Sequence, residues 1–484
     1  MKVLIAMANG NTKELHHNVL TKADSVIMGI AGTAPDSLSA STAALVAAVG
    51  MVGPGSLFYA AVVMFGIAFA FMYLNHWRSD AGASYAWVGR AINPSLCFMS
   101  GWALIVSATL FMVAGSLPVG SATLDLIAPG LANNVVAVTI TGAIWFLAMD
   151  SLILVGIGVT KRFQKIMTTL EVGILLIITI AGFIKFSAQP VNAFSWAWFS
   201  PGDFNTFMGG SLIAVFYYWG WDVTSNLTEE TEDSSRAPGN GGVFGMIAIF
   251  ILFEFMQVVF QMGFTSDKIA EASTNLLPVL GDMIFPRPWG DIAILAVILS
   301  TVATLETSLL QASRTLFSMG RERVISTKFA DIHPKFQTPW LASLVIGIVA
   351  LLSFVLSGFS TSMNTLMTGA ISALGVQIAF YYGLTGFACA WYYRKSFKTD
   401  KKALVLRGIW PSLSAIFLWV VGIYALTQLE ITTIFIALGA LLIGVVPLVY
   451  YRVKYKSNFY TSGKERYGDE PMELLSSTDT SNLH

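Results

Sequence analysis

Several carboxylic acids stand inside long apolar runs of this 484-residue chain: Asp36, Asp150, Glu171, Asp222, Glu254 and Glu306. A carboxylate at the middle of a bilayer costs roughly 2.5–3.5 kcal/mol on insertion scales, so it has to face the interior of a helix bundle. Two kinds of chemistry are open to it there, carrying a proton or gripping a cationic solute. The competing readings are structural, a helix cap or a hydrogen bond to a neighbouring backbone. For Asp36, which follows Pro35, the cap reading is preferred over contact with an ammonium or guanidinium group. For Glu254 and Glu306 a structural partner is the preferred reading, and for Asp150 packing or a polar contact. Thr301 and Thr304 have hydroxyls suited to a cation, although threonine bonding back to its own helix is the commoner case.

Next to the acids are two places where a helix should fail. The first reads Ile27-Met28-Gly29-Ile30-Ala31-Gly32-Thr33-Ala34-Pro35-Asp36, and the second runs from Gly209-Gly210 into Phe216-Tyr217-Tyr218-Trp219-Gly220-Trp221-Asp222. Pro35 removes a backbone donor and clashes with the preceding turn. Unpaired backbone groups are tolerated at membrane depth only beside protein or a water-filled cavity. Matched interruptions in two halves of a chain are a sequence pointer to a transport site. The ends they create point N–H and C=O groups into one space, which suits a zwitterion. Taken alone, each break would be read as a kinked or closely packed helix.

The elements that must hold these residues follow from composition. Apolar residues make up 55% of the chain and charged residues only 12%, against about a quarter charged in a soluble domain. That balance excludes a water-soluble enzyme. With 28 Lys+Arg against 28 Asp+Glu there is no basic field for a nucleic acid. Cys97 and Cys389 frame neither a disulfide scaffold nor a metal site. Twelve apolar runs are long enough to span, near 25–49, 56–76, 96–124, 134–157, 166–186, 206–228, 243–264, 291–318, 340–358, 365–392, 409–428 and 432–452. The Val3-to-Ala8 run is too short for a signal peptide, so the first span is expected to anchor the chain.

With the N-terminus inside, every Lys and Arg except Lys185, Lys268 and Arg287 falls on the cytoplasmic side. Both termini are therefore expected in the cytoplasm, the last stretch, 457–484, as a polar tail. The run Gly239-Asn240-Gly241-Gly242 lacks the lysine and serine of a phosphate cradle. The histidines His16, His17, His76, His333 and His484 lack metal-ligand spacing. No cofactor and no metal are expected.

Three stretches carry a family resemblance. They are Asp80-Ala81-Gly82-Ala83-Ser84-Tyr85-Ala86-Trp87-Val88 with Asn93-Pro94 and Gly101-Trp102; the Phe216-to-Asp222 segment with Glu229-Glu230; and Ala312-Ser313-Arg314-Thr315-Leu316-Phe317-Ser318-Met319-Gly320-Arg321 with Thr338-Pro339. In that order and spacing the chain resembles the amino acid–polyamine–organocation superfamily. The resemblance implies an all-α integral membrane protein of twelve transmembrane helices, a 5+5 inverted repeat with broken first and sixth helices plus two C-terminal helices. Its expected divisions are a tail at 1–24, repeats at 25–200 and 201–392, two further helices within 393–456, and the tail at 457–484.

Carried over by position, the resemblance places a substrate carboxylate at the amides of Gly29, Ile30, Ala31, Gly32, Thr33 and Ala34. The ammonium falls at carbonyls near Phe216 and Tyr217, with Tyr218 or Trp219 as an aromatic gate beside Gly220. This chain departs from the family's Gly-Ser-Gly at the first break. Asp222 aligns with an acid that many relatives carry, and its coupling role competes with a capping one. Glu171 follows Gln164 at the spacing where relatives often hold a lysine. It is a candidate site for a coupling proton or cation, the alternative being an acid bonded to neighbouring backbone.

The expected function is secondary transport of amino acids across the cell membrane, by alternating access, driven by protons or by sodium in their place. Polyamine transport and amino acid/amine exchange are the alternatives within transport. A membrane-embedded enzyme is disfavoured because no nucleophile–base pair is evident. The partners implied are the small solute, the coupling ion and the lipid bilayer.

Overall fold

A computed structural model describes residues 14–272, 275–358, 363–454 and 456–461. The Val3-to-Ala8 run, most of the expected polar tail and His484 lie outside these residues. Among the described residues the chain is helical with no β-strand, apart from one isolated parallel bridge between Leu20 and Thr231.

The helices in order are α1 Lys22–Gly32, α2 Ser37–Val49, α3 Gly53–Trp77, α4 Ser84–Ala91, α5 Pro94–Ile127, α6 Val135–Val155, α7 Ile157–Ala188, α8 Phe204–Tyr217 and α9 Val223–Asn226. There follow α10 Ala237–Gly263, α11 Ser266–Ala272, α12 Leu276–Ile284, α13 Ile292–Arg321, α14 Trp340–Ser357 and α15 Met363–Tyr393. The last two are α16 Lys401–Gln428, with a π-helical turn at Leu404–Ile409, and α17 Ile431–Val453.

Nine helical stretches among the described residues are long and apolar enough to cross a membrane. The count is lower than the twelve apolar runs for a local reason. The first and sixth runs are each divided, and α8 and α14 are shorter apolar helices. The division of the first run comes from its own residues. Thr21 and Asp24 form a reciprocal capping box that starts α1. Thr33 closes it, Ala34 then takes a left-handed φ of 48°, and Pro35 cannot continue the ladder.

α13 is the axis of the bundle, buried from Ala293 to Gly320 except at Leu295. It packs against α5, α7, α1, α6 and α14. By contrast α6, α7, α16 and α17 show large apolar side chains outward, among them Ile144, Ile166, Ile423 and Phe435. Such a surface suits lipid and would be a liability in water.

α1 and α10 approach closely because both use small residues. A methyl group on Gly241 would meet the Ser25 side chain at 2.5 Å, and one on Gly29 would meet the Gly241 carbonyl oxygen at 3.2 Å. The Gly239-to-Gly242 run is thus a packing surface, with Gly242 lying under Trp221 and Thr224.

Candidate functional site

The two breaks meet. Gly32 at the end of α1 lies directly against Gly220 between α8 and α9, backbone to backbone, with no room for a β-carbon on either. Gly220 also has a φ of 103°, which an L side chain rarely adopts. Around this contact Gly29, Ala31, Gly32, Thr33, Ala34, Tyr217, Tyr218, Trp219 and Gly220 are all buried, while Ile30 and Phe216 are half-buried.

The freed groups of the first break are largely accounted for. The Thr33 hydroxyl donates to the Ile30 carbonyl at 2.7 Å, and the Thr33 amide donates to the same carbonyl at 3.1 Å. The Thr304 hydroxyl on α13 lies 2.7 Å from the Ala31 carbonyl oxygen and 2.9 Å from the Ser300 carbonyl oxygen of its own helix, sharing its one proton between them. Thr301 bonds back to Val297 at 2.8 Å, the commoner threonine habit. Of these two threonines, Thr304 is the one whose hydroxyl touches the break.

Asp36 stands at the residue before α2, but its side chain caps no amide there. That corrects the cap reading in its hydrogen bond, though not in its position. The Asp36 carboxylate instead accepts the Ser39 hydroxyl at 2.5 Å, and the Asp36 amide donates to the Ser300 hydroxyl at 3.0 Å. Glu171 on α7 faces Ser300 and Asp36 from the other side. It is fully buried, and neither of its carboxyl oxygens has a hydrogen-bond partner among the described residues.

The second break is organised by Asp222. One carboxylate oxygen accepts from Gln311 Nε2 at 2.7 Å and from the Tyr381 hydroxyl at 3.0 Å; the other accepts from the Tyr382 hydroxyl at 2.9 Å. Trp219 donates its ring N–H to the Tyr381 hydroxyl at 2.6 Å and lies 5.5 Å from the Phe111 ring. Tyr218 packs on Phe253, ring centres 5.6 Å apart, and the hydroxyls of Tyr217 and Tyr218 are buried without hydrogen-bond partners among the described residues. Gln311, Tyr381, Tyr382, Phe111 and Ser300 were not singled out from the sequence. The adjacent tyrosines inside an apolar run were the available signal.

At the end of the bundle where α1 begins, the three motif stretches come together. Arg321 holds Glu229 through two bonds of 2.7 Å, and Glu229 also accepts the Ala81 amide at 2.9 Å. Arg314 forks onto Glu230 at 3.0 and 2.9 Å with both side chains fully buried. Asn226 donates to the Ala81 carbonyl at 2.7 Å, Ser318 donates to Asp80 at 2.7 Å, and Arg90 pairs with Glu322. Burial alone would lift the Asp80 carboxyl, but the Arg321 guanidinium, then Arg90 and Arg78, hold it down to about 2.

Comparison with known proteins shows the family. Residues 25–453 match the family model described as amino acid permease. The chain is 24% identical to the low-affinity putrescine importer PlaP of Escherichia coli (strain K12), over 72% of this chain and 75% of that protein. It is 23% identical to the branched-chain amino acid permease BcaP of Bacillus subtilis (strain 168), over 62% of this chain and 67% of that one. To the vacuolar cationic amino acid transporter 4 of Arabidopsis thaliana it is 25% identical, over 56% of this chain and 47% of the other. The chain belongs to the amino acid permease family of the amino acid–polyamine–organocation superfamily.

Proposed function

We propose that this chain is a proton-coupled secondary transporter of amino acids that works by alternating access. The observation that carries the reading is the contact between two broken helices at Gly32 and Gly220, with an unpartnered acid, Glu171, beside one of them. In this proposal the twelve apolar runs are twelve spans. Residues 25–200 and 201–392 form two inverted five-helix repeats, and the helices within 393–456 are an addition to them. Both termini are cytoplasmic, as the distribution of Lys and Arg favours.

The substrate lies against the first break, Gly29 to Ala34, and its carboxylate is held there by main-chain amides once the Thr33 and Ala34 amides, here donating to Ile30 and Ala31, are released. Its ammonium meets carbonyls near Phe216 and Tyr217, with Tyr218, Trp219 and Gly220 closing over it. Glu171 is the coupling-proton site. Asp36 holds the far side of the first break, and Thr304 and Thr301 line the helix against it. Asp222, already met by three donors, fastens the second break and is less suited to exchanging a proton.

A second reading, transport of an amine such as a polyamine, draws on the relative named as a putrescine importer and on Asp36 near the first break. Uptake by purified protein in liposomes, with labelled alanine, leucine, arginine and putrescine and an imposed proton gradient, separates the two. Gradient-driven accumulation of an amino acid supports the first reading. Accumulation of putrescine alone replaces it with the second, and absence of any gradient-driven uptake removes proton coupling.

A further inference from the structure

The face that α7 buries changes character along its length. After Ile157 the buried positions to mid-helix are Thr160, Gln164, Thr168 and Glu171; beyond them come Leu175, Ile178, Thr179, Gly182 and Phe186. Steps of three and four residues put these four polar side chains on one stripe, neighbours about 5–6 Å apart at Cβ. Opposite them on α13 stands Glu306, which faces Gln164 and Thr160 and is itself fully buried.

The stripe is unusual in what it leaves unbonded. Several buried threonines elsewhere return their hydroxyls to their own helix, as Thr139, Thr179 and Thr301 do, although Thr224 does not. The hydroxyls of Thr160 and Thr168 find no hydrogen-bond partner among the described residues. The Gln164 carbonyl oxygen and both oxygens of Glu306 and of Glu171 likewise make no hydrogen bond of good geometry, Glu306 meeting Gln164 and Thr160, and Glu171 meeting Ser300 and Asp36, only in looser polar contact. Gln164 is nevertheless fixed, because its Nε2 donates to the Ala303 carbonyl at 2.7 Å. Leaving a buried polar group without a partner is costly, and here several stand in one line.

We propose that Glu306 is a second proton-carrying site, and that Thr160, Gln164 and Thr168 join it to Glu171 as a proton path between α7 and α13. This rests on the reading of Glu171 as the coupling-proton site. The path runs from the end of the bundle where Lys161 pairs with Asp24 at 2.7 Å to a blind end at Glu171, about 21 Å from the start of α7. In the proposed orientation it is the cytoplasmic release route.

A proton leaves the Glu171 carboxyl and the Thr168 hydroxyl passes one on as it accepts another. The Glu306 carboxylate takes it up and gives it to water at the Lys161 end. One proton is moved: Glu171 is left as the carboxylate and is reprotonated from the opposite side in the next cycle, Glu306 returns to the carboxylate it started as, and no other bond changes. The charged and titratable groups around the path include Asp24 and Lys161 at its mouth, Asp36 beside Glu171, Asp150 on α6, Glu254 on α10, and Asp222 held from α13 by Gln311, with Arg162 and Lys165 on the exposed face of α7 and Arg314 and Arg321 further along α13.

The test uses the full chain in liposomes with a pH dye inside and the same four labelled solutes outside. Glu306→Gln and Thr168→Val are each expected to cut gradient-driven accumulation and solute-triggered acidification roughly ten-fold or more. Counterflow without a gradient should stay near the wild-type rate, and Glu306→Asp should restore proton movement. If both variants drive accumulation like the wild type while Glu171→Gln does not, the path is wrong and Glu171 coupling stands. If Glu306→Gln slows counterflow as much as accumulation and Thr168→Val changes nothing, Glu306 is structural and the path is likewise overturned. A wild-type chain that moves no protons sinks the coupling reading itself. Should Glu306→Gln fail to insert, Thr168→Val and Glu306→Asp decide the matter between them.

Discussion

Gly32 and Gly220, 188 positions apart in the chain, lie with their backbones in contact, so neither broken helix can be repacked without the other. Alanine at either position forces the two segments apart, and overpacking of this kind costs about 1–3 kcal/mol. Gly220→Ala bears an added cost from its positive φ. Both variants are expected to insert in the membrane, to unfold at lower temperature in detergent and to lose transport. Wild-type uptake by Gly32→Ala would show that the contact is not needed during the cycle.

Glu171→Gln keeps the shape of the side chain and removes its titration. Counterflow of label should survive, whereas accumulation against a gradient should vanish. Uptake that still follows the imposed pH difference would exclude Glu171 from coupling.

The three donors on Asp222 suit a carboxylate and leave an amide mismatched. Asp222→Asn is expected to cost about 1–3 kcal/mol in unfolding, and Tyr382→Phe, which removes one of the three bonds, less. A variant that keeps its melting temperature but loses proton coupling would return Asp222 to the proton path.

Arg314 and Glu230 form a fully buried pair. Removing one partner strands a charge and should cost about 3–5 kcal/mol. Replacing both together, Arg314→Met with Glu230→Leu, should recover much of that loss. Thermal unfolding of the two single variants and the double variant checks the sign of the coupling.

Asp80 sets the acid limit of the network near Arg321. Its folded value of about 2 lies below the ordinary 3.8, so its contribution to stability is complete above that ordinary value. It is lost only as pH falls from there through the folded value. Between about pH 5 and pH 8 the network should stay closed, as crosslinking of cysteines placed across that end would report. Opening within that range would mean that another group titrates there.

The breaks were legible because they are written in local chemistry, Gly-Thr-Ala-Pro in one case and glycine among aromatics in the other. Membrane class and the apolar runs followed from composition and length. What could not be read depends on partners far apart in the chain. Asp222 is paired with Gln311, Tyr381 and Tyr382, and no spacing rule links them. Asp36 occupies a cap position, yet Ser39 and Ser300 claim its polar groups, a choice set by how α13 packs. The glycines from 239 to 242 looked like a failed phosphate motif and are in fact packing positions, Gly241 against Ser25 of α1, Gly239 against Met72 of α3 and Gly242 against Trp221 and Thr224. Glu306 reads as an ordinary buried acid until the polar stripe of α7 is set opposite it.

The stretch ahead of α1 is stitched to the turn after α9. Val19 and Leu20 both donate to the Glu230 carbonyl at 2.9 Å, and the Glu232 amide donates to the Leu20 carbonyl at 2.8 Å. Three main-chain bonds make the near halves of both interrupted helices a single leaf of a door, hung from one seam. In the proposed alternating-access cycle, a swing that opened that side would have to carry the pair together or rip the seam first.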